Sequence, residues 1–129
     1  MRLLIDSHIL LAVLHEDAGA LPPAMQGVLR ERIAESFVSV ASLWEIAIKV
    51  RLAKLRLSSP LQDLPRLVKD LGFGLMTIEA KHALAEATPV PATRDPFDRL
   101  LLAQCAVEDL RLVTTDRVLA AHPLAWRPA

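Results

Sequence analysis

Four carboxylates in this sequence stand where chemistry could be done. Asp6 follows the apolar run Leu3-Leu4-Ile5, and Asp116 closely follows Leu110 to Thr114. Glu45 lies within Ser42-Leu43-Trp44-Glu45-Ile46-Ala47-Ile48, and Asp98 closes the segment Asp95-Pro96-Phe97-Asp98. Brought together in a partly buried place, such groups repel strongly, so convergence implies a cation. Oxygen ligands suit hard ions, Mg²⁺ or Mn²⁺, which keep several waters and accept a substrate phosphate. Each acid also has a structural explanation. Asp6 is able to cap a helix beginning near His8. Asp95 is a good N-cap, Pro96 an ideal first helical residue, and Asp98 a first-turn acid favoured by the helix dipole. Glu45 stands three residues after Ser42, as in a capping box, and four before Lys49, as in a helical ion pair. Asp116 is able to cap a helix over 117–121. Two details favour chemistry. Glu45 is embedded among apolar residues, and Asp98 shares a helix face with Leu101, Leu102 and Cys105; an acid at the wet end of a buried stripe is a functional candidate.

The elements that must position these acids follow from the hydrophobic pattern. Strands are predicted at 3–5, 37–40, 73–78 and 110–114, with an edge strand at 124–126. Helices are predicted at 8–14, 25–33, 41–52, 60–71, 79–87, 95–108 and 116–121, with Gly72 as a stop signal. Short apolar strands alternating with helices predict an α/β fold, a parallel sheet covered on both faces. In such sheets the functional crevice lies beyond the carboxyl ends of the strands, where Asp6 and Asp116 both fall.

Length and composition bound the rest. At 129 residues the chain fits one domain, 1–129, without a linker or repeat. No apolar run is long enough for a membrane-spanning helix, and an acid after three apolar residues interrupts any signal-peptide core; the reading is a soluble, cytoplasmic protein. Lysine plus arginine and aspartate plus glutamate number 15 each. That balance argues against a binder that holds nucleic acid by bulk charge, while leaving room for a local basic patch. Cys105 is the only cysteine, so neither an internal disulfide nor a thiolate cluster can form, and its apolar surroundings predict a packed thiol.

The segments Arg2-Leu3-Leu4-Ile5-Asp6-Ser7-His8, Ser39 to Lys49, Arg94 to Gln104 and Leu112 to Arg117 occur in order along nearly the whole chain. Together they resemble the PIN-domain family, and within it the VapC toxins of bacterial toxin–antitoxin pairs. The resemblance implies a three-layer α/β/α fold with a mostly parallel sheet, and an acidic site at Asp6, Glu45, Asp98 and Asp116. It implies metal-dependent endonucleolytic hydrolysis of RNA, with Mg²⁺, or Mn²⁺ in its place, held by Asp6, Asp98 and Asp116 and with Glu45 orienting water or a second ion. Asp95 is an additional acid, read as a cap first. The implied partners are an RNA substrate, a VapB-like antitoxin seated on apolar surface of the first helices and around Trp44, and a second copy of the chain, with larger assemblies built from the dimers. Ser7 stands where many relatives carry threonine, which keeps the hydroxyl. Ala12 stands where close relatives often carry tryptophan, a change that touches packing or partner contact.

A basic rim would have to admit RNA to an acidic centre. Lys49 and Arg117 either hold phosphates or stay solvated; Arg51 and Arg56 read as solvated, and Arg94 and Arg99 flank the acids. Ser7, Thr114 and Thr115 either bond the carboxylates or a phosphate oxygen, or form turns. Aromatic residues make up 4% of the chain, so extensive base stacking is not expected. His8 reads as a packing residue, and His15, His82 and His122 show no metal-ligand spacing. Two other classes compete, a non-catalytic module and a phosphoryl-transfer domain. A non-catalytic module that only binds protein or RNA is countered by the intact acidic set. A receiver or a dehalogenase-like phosphatase fits poorly, because no lysine follows Thr114-Thr115-Asp116 and Asp6 is followed by Ser7 and His8.

Overall fold

The computed structural model describes residues 1–128. Strands β1 (Arg2–Ile5), β2 (Ser36–Ser39), β3 (Gly74–Met76) and β4 (Leu110–Val113) form a four-stranded sheet in the order β3-β2-β1-β4. Every pairing is parallel, with Leu4 opposite both Phe37 and Leu112 and Val38 opposite Leu75. The helices are α1 (Ser7–Leu14), α2 (Pro23–Glu31), α3 (Val40–Arg51), α4 (Leu64–Asp70), α5 (Ala80–Leu84), α6 (Pro96–Glu108) and α7 (Arg117–Ala120). The α/β/α expectation holds, and the sheet is parallel throughout.

Alternation along β1 explains the layers. Leu3 and Ile5 join Ile9, Leu10, Met25, Leu29, Ile46 and Val68 in a core beneath α1 to α4. Leu4 points the other way, into a second core with Leu101, Leu102 and Cys105 of α6 and Leu119 of α7. A sheet apolar on both faces must be covered on both, which is why its strands read as continuous apolar runs. Cys105 is part of the second core, and burial pushes its thiol up to about 12; it packs as a hydrophobe.

Boundaries move where local chemistry decides. Helix α3 begins one residue earlier than predicted because Ser39 Oγ accepts the Ala41 N–H at 3.0 Å. The helix predicted from residue 60 opens as a 3₁₀ turn, Leu61–Asp63; Pro65 has no N–H to donate back, so regular helix starts only beside it. Predicted strand 73–78 contracts to Gly74–Met76 and predicted helix 79–87 to Ala80–Leu84. The predicted edge strand at 124–126 is a single parallel bridge, Ala125 to Leu112, between Pro123 and Pro128. Proline cannot donate to a ladder, so pairing stops there.

Gly72 ends the α4 segment at φ +102°, and a Cβ there would sit 2.9 Å from Ile33 Cγ1. Gly72→Ala should therefore destabilise the protein by about 1–2 kcal/mol. The urea midpoint should fall with an unchanged slope; an unchanged midpoint would show the turn to be free of strain.

Candidate active site

The carboxyl ends of the parallel strands share one edge, and the chain changes direction there. From β1 it runs to β2 and β3 on one side, then crosses to β4 on the other. The switch point thus lies between β1 and β4, where ligands bind in open parallel sheets. Asp6 leaves β1 at this point, with its N–H donating to Val113 O at 3.1 Å.

Asp6 is only 3% exposed. Its Oδ1 accepts the Ile9 N–H at 3.1 Å, capping α1, and its Oδ2 accepts a short hydrogen bond from Thr114 Oγ1. One carboxylate thus caps α1 with one oxygen and meets the end of β4 with the other. Burial raises its pKa, opposed by the Thr114 hydroxyl, the Ile9 N–H and the charge of nearby His8. His8 itself is exposed rather than packed. The Thr114 hydroxyl also accepts the Asp116 N–H at 3.0 Å, so one side chain links the ends of β1 and β4.

Glu45, on the second turn of α3, accepts Ser7 Oγ at 2.6 Å through Oε1 and pairs with Lys49 Nζ at 3.6 Å through Oε2. The ion-pair expectation is met and the capping-box expectation is not. Ser42 lies inside the helix, and its buried Oγ has no partner. Ser7 is 4% exposed and its hydroxyl donates to Glu45. Lys49 is engaged by Glu45. Thr115 and Arg117 are exposed beside Asp116.

Asp98 stands in the first turn of α6 behind Asp95, whose Oδ1 accepts the Phe97 and Asp98 N–H groups at 2.8 and 3.4 Å. Asp95 is thus the cap, and Asp98 is released from capping. Its pKa is pushed up to about 6, first by partial burial, then by the charge of Asp95, with Glu45 and Asp116 adding to it. That electrostatic coupling joins acids from α3, α6 and the β4–α7 turn. Asp116 caps α7 through Oδ1, which accepts the Val118 and Leu119 N–H groups at 2.9 and 3.0 Å.

Thr93, which the sequence reading passed over, donates to Asp98 Oδ2 at 3.3 Å while accepting the Asp95 N–H at 3.2 Å. The Thr93-Arg94-Asp95 spacing of a local hydroxyl turn was the available signal. Arg99, expected to flank the acids as part of the rim, instead clamps this loop, donating to Thr93 O at 2.7 Å and Pro91 O at 3.1 Å.

The donor set is oxygen throughout, it is negative, and Asp98 is raised partly by its neighbours' charges, so a hard divalent cation fits it. Among the described residues, the only ligand atoms found in a group of three within 4.8 Å of one another belong elsewhere, to Glu79, His82 and Glu108. A cation among Asp6, Asp98 and Asp116 would complete its shell with water, as Mg²⁺ commonly does.

The Glu79, His82 and Glu108 group is a possible metal-binding group by distance, yet its hydrogen bonds assign it a structural task. His82 Nδ1 accepts the Glu79 N–H at 3.0 Å, so the proton sits on Nε2, 3.2 Å from Glu108 Oε2. A metal-bound histidine donates one ring N–H and gives the lone pair of the other nitrogen to the ion, and here the Glu79 N–H occupies that lone pair. Lys81 Nζ, 3.4 Å from the same Glu108 oxygen, already supplies the positive charge. The group ties α5 to the far end of α6, ten residues or about 15 Å along that helix from Asp98.

A three-layer α/β/α fold with an acidic, oxygen-only site at the switch point defines the class. The chain belongs to the PIN domain family, whose model matches residues 3–123 and so spans all four candidate acids. PIN domains are typically metal-dependent nucleases that act on RNA. No curated protein and no solved structure matches the chain. Among the described residues no helix is long and apolar enough to cross a membrane.

Proposed function

We propose that this protein is a metal-dependent endoribonuclease of the VapC kind, the toxin half of a toxin–antitoxin pair. The observation that carries the reading is geometric: at one strand edge the Thr114 hydroxyl bonds both Asp6 and the Asp116 N–H, and Ser7, next to Asp6, donates to Glu45 at 2.6 Å. In the proposed site Asp6 and Asp98 would hold Mg²⁺ or Mn²⁺ directly, and Asp116 would do so directly or through water. A cation bound there would lower the pKa of a water, polarise the scissile phosphate and offset charge on the leaving oxygen. The chain's own side chains supply orientation. Thr114 fixes one oxygen of Asp6, Ser7 fixes one oxygen of Glu45, and Thr93 fixes one oxygen of Asp98. Lys49 tempers the charge of Glu45, and Arg117 and Thr115, exposed at the rim, are free to meet a phosphate.

The proposed partners are RNA, a VapB-like antitoxin and a second copy of the chain. An apolar groove of about 540 Å³ lined by Val13, Leu21, Leu29, Ile33 and Phe73 supports the antitoxin reading. It opens on the first helices, where the resemblance puts the antitoxin segment.

Purified protein should cut total cellular RNA in Mg²⁺ or Mn²⁺, and EDTA should stop it. In parallel, the cation should raise the melting temperature, because a ligand that binds only the folded state at a hundred times its Kd adds about 2.7 kcal/mol. Cleavage that survives EDTA would refute the metal reading. Neither cleavage nor Mn²⁺ binding would shift the assignment to a non-catalytic protein- or RNA-binding module.

A further inference from the structure

The chain has two tryptophans, three phenylalanines and no tyrosine. Four of these five rings are buried or partly buried; Trp44 alone is exposed, at 59%. Its position is specific. Trp44 immediately precedes Glu45 on α3, and Phe97 immediately precedes Asp98 on α6. The two rings meet at 5.5 Å between centroids and 72° between planes, an edge-to-face contact. That geometry is favourable for aromatic pairs and holds the indole in place, bridging the helices that carry two of the four site acids.

An RNA strand approaching this site faces a difficulty. The chain has no net charge, and of the nearby cations Lys49 is committed to Glu45 and Arg99 to the Thr93 loop, which leaves Arg94 and Arg117 exposed. Unpaired carboxylates repel phosphates. Base stacking is an attraction that needs no charge and that every base can make, so it works beside carboxylates where a lysine would be neutralised. We propose that Trp44, braced by Phe97, is the stacking platform for a nucleobase of a single-stranded RNA segment next to the cleaved phosphate. The inference rests on the nuclease reading above. It also refines the expectation from composition: few aromatics rule out a chain of stacked bases, and one platform at the site is enough to seat a single nucleotide.

The test compares wild type with Trp44→Phe, which keeps an aromatic face, and Trp44→Leu, which keeps bulk and hydrophobicity without one. Binding of a fluorophore-labelled adenosine decaribonucleotide is followed by anisotropy in Ca²⁺, with the KM for cleavage of cellular RNA in Mg²⁺ measured beside it. Thermal melts of all three proteins verify folding. The phenylalanine variant should bind within about threefold of wild type, and the leucine variant about tenfold more weakly or worse. KM should follow the same order with kcat little changed, the signature of lost uniform binding. Equal affinity in all three overturns the platform and leaves the nuclease standing, as does a wild type that cuts RNA without holding the oligonucleotide. A leucine variant that keeps RNA affinity but loses self-association on size exclusion assigns the indole to a protein interface and overturns it too. If wild type neither binds nor cuts RNA, the nuclease reading itself falls.

Discussion

Asp98→Asn should lose about a thousandfold or more in RNA cleavage and yet melt at a higher temperature than wild type without metal. The first effect follows if Asp98 holds the cation, because metal stabilisation of developing charge is worth several kcal/mol, and each 1.36 kcal/mol is about tenfold in rate. The second follows from the raised pKa. Asp98 titrates at about 6 in the folded protein, above the ordinary aspartate value of about 4, with burial first among the causes and the charge of Asp95 next. Between those values the folded state binds more protons than the unfolded state, so stability falls as pH rises from about 4 to about 6 and stays lower above. Asp6, also raised by burial, works in the same direction. Glu35 and Glu108 are lowered, by Arg32 and by His82 respectively; their stabilisation is lost only as pH falls below the ordinary glutamate range, a separate window. Asparagine removes the Asp98 charge, and the gain at pH 7 should be on the order of 1 kcal/mol, discounted because the group is half solvated. The checks are a cleavage time course and melts at pH 5 and pH 7 in EDTA. A variant that cuts like wild type would remove Asp98 from the site. A variant with lower metal-free stability at pH 7 would show that the carboxylates do not repel there.

Thr114→Val should cost about 2 kcal/mol and weaken Mn²⁺ binding by about ten- to a hundredfold, with Thr114→Ser restoring both. Valine nearly preserves shape, so packing is little disturbed. What disappears is a hydroxyl that donates to Asp6 Oδ2 and accepts the Asp116 N–H. Hydrogen bonds to charged groups contribute about 1.5–3 kcal/mol, and Asp6, 3% exposed, has little water to replace it. The same hydroxyl opposes the burial-driven rise in the Asp6 pKa, so its removal raises that pKa further and makes the carboxylate a poorer ligand at a given pH. Outer-sphere partners of metal ligands commonly carry effects of this size on affinity. Denaturant melts and an Mn²⁺ titration of the three proteins decide it. Unchanged affinity in the valine variant would reduce Thr114 to a strand-end turn residue.

Much of this architecture is legible in one dimension because it depends on local periodicity. A short apolar run such as Leu3-Leu4-Ile5, closed at once by Asp6, suits a strand buried on both faces, and such strands need helices on both sides of the sheet. Asp95-Pro96 starts α6 through chemistry confined to adjacent residues, and Gly72 stops the chain because only glycine occupies its backbone conformation without strain. The placement of Asp6 and Asp116 at one edge follows from parallel strands alone. What a single acid does is different, since capping and coordination call for the same residue type. Asp6 proves to cap α1 and face Thr114 at once, with one oxygen for each. Asp95 takes the cap of α6 and thereby releases Asp98. Ser42, three before Glu45, looks like a cap and is none, because Ser39 reaches the helix end first.

The sequence by itself determined the four sheet strands, the helices between them to within a few residues and the set of acids, for these rest on propensities and contacts within a few residues. Only the tertiary structure decided which acids lie together and that Trp44 alone among the aromatics stays exposed. Those are properties of side chains far apart in the chain, such as Ser7 with Glu45 and Thr114 with Asp6. Their energies arise from burial and from charge at close range, and neither quantity exists until the sheet has brought the strand ends together.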